Sequence, residues 1–200
     1  MNFKDEQTLV LIKPDGVQRS LIGEIIKRYE QTGLKLVALK LILPNEEIIE
    51  RHYLIDPEWK RKTGEKLINS YLSKGLEPPT HDSEKIGKMV LGRLKNYLTS
   101  GPLVAMVWQG MNAVGIVRKI TGGTEPLSSD VGTIRGDFTI DSYQVADTDN
   151  RAVRNLIHAS SSLSDALQEI RIWFKEEEIL DHRLIGESIL YDVNLDGISE

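Results

Sequence analysis

The sequence predicts an α+β fold, an antiparallel sheet covered by helices on one face. Three observations lead there. Strand-like apolar runs interleave with amphipathic helical stretches. Their connections mix hairpin-like and crossover lengths, which suits an α+β sandwich better than a doubly wound fold. Finally, 200 residues, 40% of them hydrophobic, suffice for one domain with a real core, and no internal repeat interrupts it.

The elements follow in order. "TLVLIK" (Thr8–Lys13) carries four apolar residues in a row and reads as a fully buried strand, closed by the turn "KPDG". Ser20 is a plausible N-cap for a helix whose inner face holds Leu21, Ile22, Ile25, Ile26 and Tyr29, with Gly33 placed to end it. Leu34–Leu43 reads as a second strand stopped by Pro44, and a short helix runs on to about Tyr53. Residues 56–100 read as helical, in the pieces "EKLINSYL" and "SEKIGKMVLGRLKNYL". In the second, Ile86, Met89, Val90, Leu94, Tyr97 and Leu98 lie near one face.

Leu103–Trp108 is a third buried strand. Asn112–Ile120 is a helix with Ala113, Ile116, Val117 and Ile120 inward. "GTIRGDFTI" reads as turn-rich and then extended. Leu163, Ala166, Leu167, Ile170, Trp173 and Phe174 make a strong helical stripe, and "ESILYDV" reads as a last strand.

Composition excludes several classes. Without cysteine there is no disulfide framework, thiolate metal site or cysteine catalysis, and a reducing, cytoplasmic setting is expected. The start, "MNFKDEQ", does not resemble a signal peptide, and no apolar run approaches a membrane span. A net charge of -5 and the lack of a basic stripe argue against nucleic acid as a partner. Any phosphate must be held by a few basic residues in one place.

The P-loop and G-x-G-x-x-G patterns are absent, and the four histidines lack metal-ligand spacing. Lys13, at a strand end beside a turn, is either an ordinary terminal lysine or a cation that reaches a ligand over the sheet edge. Arg118 is either a snorkelling helix arginine or a ligand contact. Arg135, between Gly132 and Gly136, suits a bidentate phosphate contact or a loop salt bridge to Asp137 or Asp130. His158, in "RNLIHASSS", is the sharpest candidate. Imidazole is a good nucleophile near neutral pH and carries phosphoryl groups, provided an acceptor holds its other nitrogen. Glu169 on the next helix is available, and Ser162 with Asp165 reads as a weak capping box.

"NLIHASS" resembles the active-site signature of the nucleoside diphosphate kinases, Asn-x-x-His-(Gly/Ala)-Ser-Asp. "TLVLIKPDGVQRSLIGEIIKRYEQTGLKLVALK", "GPLVAMVWQGMNAV", "GTIRGDF" and "ALQEIRIWF" are similar to the same family, over residues 7–55 and 93–192. The resemblance implies a ferredoxin-like βαββαβ antiparallel sheet with covering helices, in one domain spanning 1–200. It also implies a ping-pong transfer of a terminal phosphoryl from a nucleoside triphosphate to a nucleoside diphosphate. His158 would be the nucleophile. Glu169 and Ser160 would orient and polarise it. Lys13, Tyr53, Arg118, Thr124 and Arg135 would bind the phosphates or the transferring group, Asn155 would contact the ribose, and Mg²⁺ would bridge the phosphates. A homo-oligomer is implied, the usual hexamer or else a tetramer or dimer.

The chain departs from the family pattern in three places. Ser161 stands where the signature has aspartate. The segment after Tyr53, within 56–92, is longer by about thirty residues, beyond ordinary connections. Counting back from "SGP" puts Val90 at the family's base-stacking phenylalanine and Leu94 at the neighbouring contact, with Trp59 an alternative stacker. A second insertion falls at about 142–152. The alternative to an active kinase is a non-catalytic nucleotide-binding or scaffold protein of the same fold.

Overall fold

A computed structural model describes residues 3–191 and 194. In chain order the elements are β1 (Glu6–Ile12), α1 (Pro14–Gln18), α2 (Ile22–Glu30), β2 (Lys35–Ile42), α3 (Glu46–Tyr53), α4 (Trp59–Ser73), α5 (Ser83–Leu98), β3 (Leu103–Gly110), α6 (Ala113–Thr121), α7 (Ile134–Phe138), α8 (Tyr143–Thr148), β4 (Ile157–Ala159), α9 (Leu163–Trp173) and α10 (Glu187–Leu190). The sheet order is β2-β3-β1-β4, with every neighbouring pair antiparallel. With α2 and α6 as the crossovers, this is an α+β sheet of βαββαβ topology.

The sheet is covered on both faces, not one. Along β1, Val10 and Ile12 enter one apolar cluster with Ile25, Tyr29, Trp108 and Val117. Leu9 and Leu11 enter the other, with Ile49, Leu98, Ile170 and Trp173. The unbroken apolar run in "TLVLI" is the signature of such double burial, because alternate side chains point to opposite faces. Edge strand β2 is less covered: Leu39 and Leu41 are about half exposed or more.

Several local expectations change. Ser20 does not cap α2. It adopts a left-handed φ of 57°, and Leu21 takes the cap position without a side-chain bond. "IRGDF" is a short helix where turns were expected, because the Thr133 hydroxyl accepts the Gly136 N–H at its N-terminus, and Thr139 after it is extended. On α5 the fully buried residues are Ile86, Gly87, Leu91 and Leu98, so the inner face is rotated toward Leu91 and away from Val90 and Leu94. "ESIL" is helical where a strand was expected, Tyr191 forms a turn, and Asp192 and Val193 lie outside the described residues. Ser162 does cap α9, accepting the Asp165 N–H at 3.1 Å.

Helices α4 and α5 form a hairpin closed by two glycines. A Cβ on Gly64 would run into the Ser83 carbonyl, and one on Gly87 into the Lys60 carbonyl. Only glycine lets the backbones approach this closely.

Candidate active site

Edge strand β4 is three residues long and begins in strain. Leu156, just before it, has φ 64°, unusual for a bulky residue. The turn is closed by Ile157 N–H donating to the Asn155 carbonyl at 2.7 Å. It is held from three directions. Asp15 Oδ2 accepts the Leu156 N–H at 3.2 Å, the Lys13 N–H donates to the Leu156 carbonyl at 2.8 Å, and Arg135 Nε donates to the Asn155 carbonyl at 3.2 Å. Strain of this kind persists where the surroundings over-determine it, commonly at functional sites. Its effect here is to set His158 on β4, paired with Leu11 of β1.

His158 Nε2 lies 3.0 Å from Glu169 Oε2. Glu169 also accepts the Ser160 hydroxyl at 2.6 Å, and Ser160 is fully buried. Burial opposes the glutamate's charge, but the imidazoles of His158 and His52 and the Ser160 hydroxyl outweigh it and hold the carboxyl down to about 2. A carboxylate accepts only, so Nε2 must donate and Nδ1 of a neutral ring carries the free lone pair. His158 is partly exposed, so that lone pair can meet a substrate.

The cations are distributed around this histidine. Lys13 is buried and donates to Asn155 Oδ1 at 2.6 Å. Burial, then the Arg135 charge, pull its ammonium down to about 7 against the raising effect of Asp15. The amide of Asn155 donates to the Thr124 carbonyl at 2.8 Å, tying this corner to the loop after α6. Arg135 is buried too, and makes no salt bridge to Asp137 or Asp130. Its guanidinium donates to the carbonyls of Gly122 and Gly123 at 3.0 Å each and of Ile157 at 2.5 Å, besides Asn155. Asp137 pairs with Arg28 instead, at 2.7 Å. Arg118 is exposed and close enough to lower the Arg135 pKa, which burial pulls down to about 10. The Tyr53 hydroxyl is pushed up by burial and by the Glu169 charge.

Sequence reasoning missed Asp15, His52, Tyr97 and Trp173. Asp15 also accepts the Tyr97 hydroxyl at 2.6 Å, joining α1 to α5. The Tyr97 ring lies 5.3 Å from Lys13 Nζ, a cation–π contact. The "KPDG" turn was the available signal for Asp15. His52, beside Tyr53, carried none. Trp59 packs against Tyr53, with centroids 5.2 Å apart and ring planes tilted at 52°. A cleft of about 420 Å³ lined by Asp15, Gln18, Arg93, Tyr97, Arg151 and Arg154, among others, contains neither His158 nor Glu169 in its lining.

Among the described residues, His52, His158 and Glu169 bring three metal-capable atoms within 4.8 Å of one another. Two imidazoles and one carboxylate are not the oxygen-rich shell that magnesium takes. No helix of the described residues is long and apolar enough to cross a membrane.

The family model described as nucleoside diphosphate kinase matches residues 6–62 and 76–179. A nucleoside diphosphate kinase from Pyrobaculum aerophilum is 49% identical over 180 residues, covering 88% of this chain and 98% of its own. Nucleoside diphosphate kinase A of Canis lupus familiaris is 38% identical, covering 94% and 97%. The crystal structure of an NDP kinase from Pyrobaculum aerophilum superimposes with a TM-score of 0.85 at 47% identity, over 88% of this chain and 100% of that one. A transition-state mimic of the Borrelia burgdorferi enzyme with bound vanadate and ADP reaches 0.76 at 33% identity, over 93% and 96%. This chain belongs to the nucleoside diphosphate kinase family, whose members are phosphotransferases acting on nucleotides.

Proposed function

We propose that the chain moves the terminal phosphoryl of a nucleoside triphosphate to a nucleoside diphosphate by a ping-pong route through phosphohistidine at His158. One observation carries this reading: Nε2 is committed to Glu169 at 3.0 Å, which leaves Nδ1 as the nucleophile. In the first half-reaction the Nδ1 lone pair attacks the terminal phosphorus. The P–O bond to the bridging oxygen breaks, and the diphosphate leaves with that electron pair. The Nε2 proton stays in place, and Glu169 offsets the charge the ring acquires. In the second half-reaction a terminal oxygen of the incoming diphosphate attacks phosphorus, and the P–N pair returns to Nδ1.

The remaining roles are positional and electrostatic. Ser160 orients Glu169. Tyr53 and Arg118 contact the transferring group or its neighbouring phosphates. Lys13, poised near neutrality, regains full charge as it meets an anion. Arg135 acts chiefly through its charge and by framing the loop, since four of its five N–H donors go to carbonyls. Thr124 binds phosphate, Asn155 contacts the ribose, and Val90 and Leu94 touch the base. Mg²⁺ would enter on the phosphates and neutralise their charge. The protein's own donors at this corner leave it to be held mainly by phosphate oxygens and water.

We place these residues in one domain over 1–200, with insertions at about 56–92 and 142–152. The break in the family match between residues 62 and 76 supports the first. A homo-oligomer, hexameric by preference, accords with the exposed leucines of edge strand β2. A monomer by light scattering would end that idea. A cysteine-free composition accords with a cytoplasmic setting.

The test is direct. Incubation with γ-labelled ATP and Mg²⁺ should leave acid-labile label on the protein that transfers to added dGDP, and His158→Ala should take none. Nucleotide binding without label would sink the phosphohistidine route.

A further inference from the structure

His52, on the last turn of α3, is buried and lies between Trp173 and the His158–Glu169 pair. Its Nδ1 is 3.2 Å from the indole Nε1 of Trp173. An indole N–H can only donate, so Nδ1 is the acceptor. In a neutral ring the proton then sits on Nε2. Burial above all, then the neighbouring His158 and Lys13, keep the ring uncharged, with its pKa pulled down to about 3 despite the raising effect of Glu169. Nε2–H therefore faces Glu169 Oε1, 4.0 Å away.

The two oxygens of Glu169 are used differently. Oε2 takes both His158 and Ser160. Oε1 has the Nε2–H dipole of His52 before it, at electrostatic rather than hydrogen-bond range. The His52 ring also stands edge-on to His158, with centroids 4.5 Å apart and planes at 85°. One imidazole thus borders both the carboxylate and the ring that carboxylate orients. The same proton argues against a metal shared by the three groups. Ligation through Nε2 would move the proton to Nδ1, against the Trp173 N–H.

We infer that His52 is a positioning residue for phosphoryl transfer, a neutral N–H donor whose tautomer is set by Trp173 and which aligns Glu169 and the His158 ring. The inference rests on the phosphohistidine reading above. Its test is single-turnover phosphorylation of the full chain by Mg-ATP in wild type, His52→Gln and His52→Leu, with Trp173→Phe beside them. The leucine variant keeps bulk and loses the donor. Its maximal phosphorylation rate should fall about five- to tenfold, a loss of about 1 kcal/mol of transition-state stabilisation, with the half-saturating ATP concentration unchanged. Glutamine, which still presents N–H, should restore most of that rate. Nitrogen-15 NMR of wild type should show His52 protonated on Nε2 and bare on Nδ1 at neutral pH, a result independent of how the variants fold. Equal rates in wild type and the leucine variant, or a proton on Nδ1, would overturn the inference. A wild type that takes no label would overturn it together with the phosphohistidine reading, whereas a labelled wild type with an unaffected leucine variant overturns the inference alone.

Discussion

The β4–α9 corner and the α4–α5 hairpin hold their polar atoms in opposite ways. In the corner, Lys13, Arg135, Asn155, Ser160 and Glu169 are all buried, and each has a named partner. In the hairpin, Arg61 pairs with Glu58 and Glu65, and Lys62 with Asp56, between side chains roughly half exposed. Exposed pairs of this kind contribute little and are screened by salt. A buried charge that loses its partner is costly. The corner therefore tolerates few changes, while the surface of the hairpin is free to vary. The family match breaks in α4, within residues 63–75, and runs unbroken through the corner.

The sharpest way to break this contrast is Glu169→Gln. Removing the carboxylate that holds Nε2 should cut phosphoryl transfer by roughly 100-fold, the low end for a positioned acid–base group. Arg61→Ala in the hairpin should leave kcat within a factor of two or so of wild type, as expected for a surface pair. Comparable losses in both would erase the distinction.

Acid unfolding sharpens it next. His52 is held to about 3 against an ordinary 6.5, so between those values the unfolded chain binds a proton that the native one refuses. Stability should fall as pH drops through that window, by at most about 1.4 kcal/mol per pH unit. Glu169, held to about 2 against 4.5, adds a further loss between 4.5 and 2, because its stabilisation is present above the unfolded pKa and lost as it protonates. Urea midpoints across pH should show both windows, and His52→Gln should remove the upper one and narrow the lower, since His52 helps hold the Glu169 carboxyl down.

The hairpin has its own weak point, and it is steric. Gly87→Val would force the helices apart at the Lys60 carbonyl. It should cost about 1–3 kcal/mol in urea unfolding, the range for overpacking, without lowering kcat of the folded enzyme. The smallest effect belongs to the proposed base contact. Val90→Phe should lower the nucleotide KM by about two- to tenfold, the worth of an aromatic stack, and leave kcat alone. An unchanged KM would move the base elsewhere, with Trp59 the next residue to substitute.

Much of this was legible in the sequence because it depends on local pattern. The apolar runs at Thr8–Lys13 and Leu103–Trp108 became β1 and β3, and the stripe from Leu163 became α9. His158 was legible from its place in "RNLIHASSS", and Glu169 because helical spacing puts it at the border of an apolar face. What was not legible depends on contacts remote in sequence. His52 gains its meaning from Trp173, 121 residues away. Asp15 gains its own from Leu156, 141 residues away. Nor does any periodicity report the left-handed Leu156, because tertiary bonds impose it. The Ser161 departure has a local answer: its hydroxyl bonds the Asp165 carboxylate, so a negative charge still stands at the start of α9.

In the proposed mechanism Glu169 commits one nitrogen of His158 and leaves the other to react. Phosphorus-31 and nitrogen-15 NMR of the phosphorylated enzyme, trapped with ATP and rapidly separated from nucleotide, tests it most directly. The geometry predicts phosphorus on Nδ1, with Nε2 still protonated against Glu169. Phosphorus on Nε2 would contradict it, since the carboxylate would then have to release the nitrogen it holds at 3.0 Å.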